Sequence, residues 1–240
     1  MSPRLTSYSK CFLCGETLAK NAVSRHLEKC LTAHEAAQKG KPELLFQLRV
    51  EGAGSSGHWL NLEIPASATL ETLDNYLRAI WLECCGHLSA FKIGGMRFEA
   101  ATEGADFSWY DEPPKPMKTA RLERILSVGL AFTHEYDFGS TTMLKLKVVG
   151  ERMGILNGDK RKIRLLARNY APDFRCKVCN EPAAYVHVYE YPYESYCEEH
   201  ASEMDEESLM PIVNSPRVGE CGYTGPSDQT LAFEEKRPAQ

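Results

Sequence analysis

ELLFQLRVEGAGSSGHWLNLEIPASATLETLDNYLRAIWLECCG, residues 43–86, changes its hydrophobic period once along its length. Phe46, Leu48 and Val50 alternate with Gln47, Arg49 and Glu51, the two-residue period of a half-buried strand. After the small-residue turn at 52–57, Leu60, Leu62 and Ile64 alternate again, so the two runs form a hairpin. From Leu70 the spacing turns helical through Leu73, Leu77, Ile80, Trp81 and Cys84, with Thr69 as N-cap, Glu71 in the first turn and Gly86 as the stop. Cys84 and Cys85 at the helix end read as packing cysteines, since cysteine in a core behaves as a small apolar residue.

Further downstream, Phe91 and Ile93, the Gly94-Gly95 turn, and Met96 and Phe98 read as a second hairpin. Residues 103–117 form an acidic, proline-rich loop containing Trp109. Thr119 to Val128 predicts a second helix with Leu122, Ile125 and Leu126 inward. Two strands follow, one with Leu130, Phe132, His134, Tyr136 and Phe138 on a face, the next with Leu144, Leu146 and Val148. This order predicts an α+β domain over residues 42–150, a mainly antiparallel sheet with helices on one side. Its opening, hairpin then helix then strand, is also that of a ubiquitin-like grasp.

The 240 residues suffice for one such core and small satellite modules, without disulfides for support. No run approaches the roughly 18 apolar residues of a membrane span. The first thirty residues lack the basic start and apolar stretch of a secretory signal, so a cytoplasmic location and no membrane partner are expected. Nine cysteines cannot all pair with one another, and paired CxxC spacings in a reducing compartment favour metal over disulfides.

Cys11 and Cys14 form a CxxC knuckle, followed by His26 and Cys30 at a spacing that puts both on one helix face. Two ligands from a turn and two from a helix close a tetrahedron, so residues 1–41 predict a C2HC zinc finger. A second set, Cys176 and Cys179 followed by Cys197 and His200, predicts a zinc ribbon over residues 173–204, with His187 or Cys221 as alternatives to His200 for the fourth ligand. The expected cofactor is two structural zinc ions per chain, because four protein ligands leave no open position for water or substrate. The remaining expected divisions are a basic connecting segment, 151–172, and an acidic tail, 205–240, carrying NSPRVGECGYTG at 214–225.

TLETLDNYLRAIWLECCGHLSAFKIGG (69–95) and HEYDFGSTTMLKLKVVG (134–150) resemble the plasmid-encoded ORF-three-like family, also described as transposon-passenger proteins. In that family an amphipathic helix leads into a His-Leu-x-x-Phe strand, here His87, Leu88 and Phe91, and a later strand ends in Tyr-Asp-Phe-Gly, here Tyr136 to Gly139. The ribbon stretch and the NSPRVGECGYTG segment are similar to a longer subgroup. The family's acid followed by Trp-x-His is replaced here by Ser140, Thr141 and Thr142, so no role for that histidine carries over. The resemblance implies a mobile-element association and no established biochemical activity.

Charge is unevenly spread. Residues 1–41 hold seven Lys and Arg against three acids, residues 151–175 seven against three, and residues 176–240 four against thirteen. Phosphate would be repelled by the tail, so a nucleic-acid surface would be built from Lys20, Arg25 and Lys29 beside the finger and Lys160, Arg161, Lys162, Arg164 and Arg168 before the ribbon. The expectation is a non-enzymatic zinc-binding protein that binds nucleic acid, a protein partner or both. The alternative is a protein–protein adaptor whose zinc modules are spacers. An enzyme would need Asp137, His87 and His134 to converge as acid and bases, whereas His134 lies on an apolar strand face and Asp137 precedes Phe138-Gly139 as a turn residue.

Overall fold

The computed structural model describes residues 7–35, 38–54, 57–100, 113–156, 162–189 and 191–236. Trp109 and most of the acidic proline-rich loop lie outside them, as do Lys160 and Arg161. In chain order the elements are β1 (Tyr8–Cys11), β2 (Thr17–Ala19), α1 (Val23–Glu35), β3 (Glu43–Gly52), β4 (Trp59–Pro65) and α2 (Leu70–Leu77). They continue with β5 (Ser89–Ile93), β6 (Met96–Glu99), β7 (Lys115–Pro116), β8 (Ala131–Tyr136), β9 (Thr142–Gly154) and β10 (Arg164–Asn169). Last come β11 (Tyr185–His187), β12 (Glu194–Tyr196), α3 (Glu198–Ala201) and β13 (Leu209–Pro211).

Ten strands form one sheet in the order β2-β1-β10-β4-β3-β9-β8-β5-β6-β7, antiparallel throughout except for the short β6–β7 pair. The fold is α+β, with both expected hairpins formed as β3–β4 and β5–β6. Among the described residues the central strands pair antiparallel, without the parallel central pair that a ubiquitin-like grasp requires. The segment expected to be a basic connection instead supplies the end of β9 and all of β10, and β10 pairs with β4 on one side and β1 on the other. The finger hairpin β1–β2 is therefore the edge of the same sheet.

Alternation along β4 assigns the layers. Leu60, Leu62 and Ile64 join the main core with Leu70, Leu73, Leu77, Ile80 and Trp81. Trp59, on the reverse face, packs with Val23, Leu27 and Leu31 of α1. The helices thus lie on opposite faces of the sheet, rather than on one side. Asn61 and Glu63, which the alternation would leave in solvent, are buried as well. Glu63 is fully enclosed and held by Arg152 Nε at 2.6 Å, Arg152 Nη2 at 2.9 Å and Arg164 Nη1 at 3.2 Å, while Arg152 also pairs with Glu35 at the end of α1. A buried carboxylate is tolerable only with such pairing.

α2 begins as its sequence dictates, with Thr69 Oγ1 accepting from the Thr72 amide. Its last turn widens into a π-helix, Arg78–Leu82. The second helix expected over 119–128 is reduced to one 3₁₀ turn, Leu122–Arg124. The reason is tertiary: Ala120 O accepts from Leu70 N, and the amides of Leu122 and Glu123 donate to Ala68 O and Ala66 O, so these groups are spent on a neighbouring segment. Leu122 and Leu126 still point inward. On the α2 face the C-terminal segment also packs: Arg168 donates to Asn214 O at 2.6 Å and Leu231 O at 2.7 Å, with its guanidinium 5.9 Å from the Trp81 ring. None of the described helices is long and apolar enough to cross a membrane.

His58 lies beneath this layer, and burial together with the Arg168 charge depresses its pKa to about 3. The unfolded chain, with an ordinary histidine near 6.5, takes up the proton first. Stability is therefore complete above about pH 6.5 and erodes as pH falls below it, by roughly 2 kcal/mol at pH 5. Urea unfolding at pH 7 and pH 5 is expected to show this loss, and His58→Gln should reduce the difference.

Candidate metal centres

Two turns in this chain are built alike. Cys11-Phe12-Leu13-Cys14-Gly15-Glu16 and Cys176-Lys177-Val178-Cys179-Asn180-Glu181 each place a residue with left-handed backbone after the second cysteine, Gly15 at φ 82° and Asn180 at φ 62°. In each, that residue's amide donates to the first cysteine's carbonyl, at 2.8 Å for Gly15 and 2.9 Å for Asn180. The first cysteine's amide then donates to the glutamate carbonyl, at 2.9 and 2.8 Å. Only glycine or asparagine takes the left-handed position readily, so the residue after CxxC decides whether the two thiols converge.

α1 brings the other half of the first set. His26 and Cys30 are one turn apart, and the reactive atoms of Cys11, Cys14, His26 and Cys30 lie within 4.8 Å of one another. Cys11 Sγ is 3.9 Å from Cys30 Sγ, and Cys14 Sγ is 3.4 Å from His26 Nε2. Zinc bonds of about 2.3 Å to sulfur and 2.0–2.1 Å to nitrogen imply tetrahedral edges of about 3.8 and 3.5 Å. Glu16 sits 3.5 Å from His26 Nδ1, fixing the ring from behind.

The ribbon set is Cys176, Cys179, Cys197 and His200, presented by the knuckle and by the start of α3. Cys179 and Cys197 sulfurs are 3.7 Å apart, and His200 Nδ1 lies 3.7 Å from Cys176 Sγ and 3.1 Å from Cys197 Sγ. Burial opposes ionisation of Cys176, but the backbone amides of Cys179, Cys197 and Val178 aimed at its sulfur outweigh it and bring the thiol down to about 6. His200 completes this cluster. His187 instead stands against the Tyr189 ring with 5.8 Å between centroids, and Cys221 lies elsewhere.

Cys221 belongs to a third cluster that the sequence reading does not contain, with Cys84, Cys85 and His87. All nine cysteines are thereby distributed three to a cluster, each with one histidine. The signal was arithmetic: after six cysteines are assigned, three remain, two of them adjacent and two residues from a histidine. Cys84 is half-buried and packs against the main core as expected, whereas Cys85 is exposed. The hydrogen bonds of Cys85 with Cys84 and Cys221, followed by burial and their charge, raise its thiol to about 12.

Beside this cluster two of the three enzyme-like residues, Asp137 and His87, come together, while His134 turns to a different partner. His134 is fully buried and bonds Asp74 of α2 through Nε2 at 2.7 Å, a core pair. Asp137, at φ 63°, accepts from the amides of Gly139 and Ser140 at 3.0 and 3.3 Å, closing the Tyr-Asp-Phe-Gly turn. It lies 3.5 Å from His87 Nε2 and 2.7 Å from Arg217 Nη2 of the C-terminal segment. Burial works against the Asp137 charge, but Arg217 and the two amides hold its carboxyl below the usual range.

The expected phosphate-binding cations are only partly available. Lys20 pairs with Glu51 at 3.1 Å and lies over the Trp59 ring, and Arg164 is committed to Glu63. Arg25 and Lys29 stand exposed on α1, and Lys162 is exposed beside β10. The sheet adds cations not foreseen. Lys145 and Lys147 of β9 are exposed on the face that α1 partly covers, since Lys147 pairs in register with Arg49, whose guanidinium reaches Ser24 Oγ of α1 at 3.2 Å.

No protein-family model matches the chain, and no curated protein does. Among solved structures, the chain is similar to a protein of unknown function from Methanosarcina mazei Go1, with 17% identity and a TM-score of 0.42 over 52% of this chain and 67% of that one.

Because β1 pairs with β10, the finger set should be thermodynamically part of the sheet. Cys30→Ser is expected to release one metal ion and lower the single unfolding transition by roughly 2–4 kcal/mol. Calorimetry with metal analysis checks this; a separate early transition with an unshifted main one would mean that the hairpin is an independent body.

Proposed function

We propose that this chain is a non-enzymatic, zinc-binding protein of the mobile-element-associated kind it resembles, and that it binds nucleic acid through the sheet face beside the finger helix. The observation that carries this reading is that Arg25 and Lys29, exposed on α1, lie on the same side of the sheet as Arg49 on β3 and Lys145 and Lys147 on β9. Such cations contact phosphate without reading sequence, so affinity should depend steeply on salt and little on base composition. The zinc ions, held by complete Cys₃His sets, keep α1 fixed against Trp59 and hence keep its cations in line with those of the sheet. Catalysis is disfavoured because His134 is sealed in the core and each metal cluster offers four protein ligands.

A second surface favours a protein partner as well. The ribbon exposes Val178, Tyr189 and Tyr191 at 62, 65 and 87%, within a segment rich in Glu, and exposed aromatic side chains of this kind anchor protein interfaces. In the adaptor alternative this surface acts alone.

Replacing Arg25, Lys29, Lys145 and Lys147 with Gln is expected to weaken binding to a mixed-sequence duplex and to lower the slope of log affinity against log salt by about 3 to 4. Fluorescence anisotropy at several salt concentrations measures both. Absence of duplex or single-strand binding by the unaltered protein at low salt would leave the adaptor reading.

A further inference from the structure

We propose that Cys84, Cys85, His87 and Cys221 are the ligands of a third tetrahedral metal centre, which takes a thiophilic divalent cation of the zinc class and latches the C-terminal segment onto the core. The geometry meets the requirement of such a centre. Cys84 Sγ to Cys85 Sγ is 3.6 Å, Cys85 Sγ to Cys221 Sγ is 3.8 Å, and His87 Nε2 lies 3.0 Å from Cys85 Sγ and 3.2 Å from Cys221 Sγ. These spacings approximate the edges of a zinc tetrahedron, about 3.8 Å between sulfurs and 3.5 Å between sulfur and nitrogen. Three thiolates and an imidazole select zinc-class ions over magnesium or calcium, which take oxygen ligands.

The surroundings suit a thiolate-rich centre. Three thiolates, a neutral imidazole and a divalent cation carry one net negative charge. Arg217, fully buried, points Nη2 at Cys84 Sγ from 3.5 Å while its other bonds run to Asp137, Thr142 Oγ1 at 3.0 Å and Ser140 O at 3.1 Å. Tyr136 Oη is 3.8 Å from the same sulfur. A guanidinium donor of this kind beside the ligands orients them and offsets their charge, while Tyr136 gives its hydroxyl proton to Glu83 Oε1 at 3.0 Å.

The chain is also bent so that Cys221 can reach. Ser215 Oγ bonds Trp81 O at 2.6 Å and Arg217 bonds Asp137, anchoring the segment just before the turn. Gly219, Cys221 and Gly222 then take left-handed backbone at φ 84, 47 and 67°. A side chain at Gly219 would meet the Tyr193 ring of the ribbon at 2.7 Å, and Tyr193 Oη donates to Glu220 at 2.9 Å. One metal ion at this point therefore joins the end of the π-helix to a cysteine 134 residues beyond His87. Closing so long a loop through coordination makes docking of the segment metal-dependent.

The inference does not rest on nucleic-acid binding, and its test reads neither binding nor activity. Zinc-loaded full-length protein is compared with Cys221→Ser and with His87→Gln, one substitution on each side of the latch. Metal analysis is expected to give three zinc ions per chain for the unaltered protein and two for each variant. Hydrogen exchange is expected to show residues 213–223 losing protection at least tenfold in both variants, while β3, β4 and β9 keep theirs. Retention of the unaltered zinc content by both folded variants would overturn the metal centre. Loss of one zinc with unchanged protection of 213–223 would overturn the latch.

Discussion

Strand β4 is buried along its whole length, and most of the architecture follows from covering it on both faces. On one face α2 and its π-helical turn supply an apolar layer. On the other, the finger helix lies over Trp59 and caps a charged cluster in which Glu63 is shared by two arginines. Strands β10 and β1 extend the sheet beyond β4 on one side, with β2 at its edge, so the N-terminal hairpin is held to the core by backbone hydrogen bonds. Charges enclosed in this way add little net stability, but removing one partner leaves another uncompensated, which fixes the register of β4, β9 and β10.

The same economy governs the three Cys₃His clusters. Each gathers side chains from elements apart in the chain: a hairpin and a helix in the first, a knuckle and a short helix in the second, a π-helix end and a C-terminal turn in the third. The ribbon's own apolar cluster holds only Cys176, Tyr196 and Ala201 as fully buried members.

Arg168 and Arg217 perform the corresponding task with hydrogen bonds. Both are buried, and both reach carbonyl or carboxylate groups of segments distant in sequence. With Asn214, which bonds Asn169 and Phe233 O, they seat the C-terminal segment against the α2 face. A guanidinium can do this because its five donors are fixed in a plane and need no deprotonation at any physiological pH.

The period of apolar residues determined the two hairpins, the start of α2 and the strands β8 and β9, because those signals depend on neighbours two to four positions away. Ligand spacing likewise brought Cys11, Cys14, His26 and Cys30, and Cys176, Cys179, Cys197 and His200, into single groups, since a CxxC turn followed by glycine or asparagine is a local device. Other features were decided only in three dimensions. Residues 119–128 lost their helix to backbone bonds with residues 66–70, and the supposed basic connection became β10 because β4 had an open edge. Lys20 and Arg164 proved to be committed cations, while register with β3 puts Lys145 and Lys147 on the sheet face that α1 partly covers. The third cluster was the least legible of all. Its ligands lie 134 residues apart, and no local period or spacing encodes the folding of the C-terminal segment back onto the end of α2.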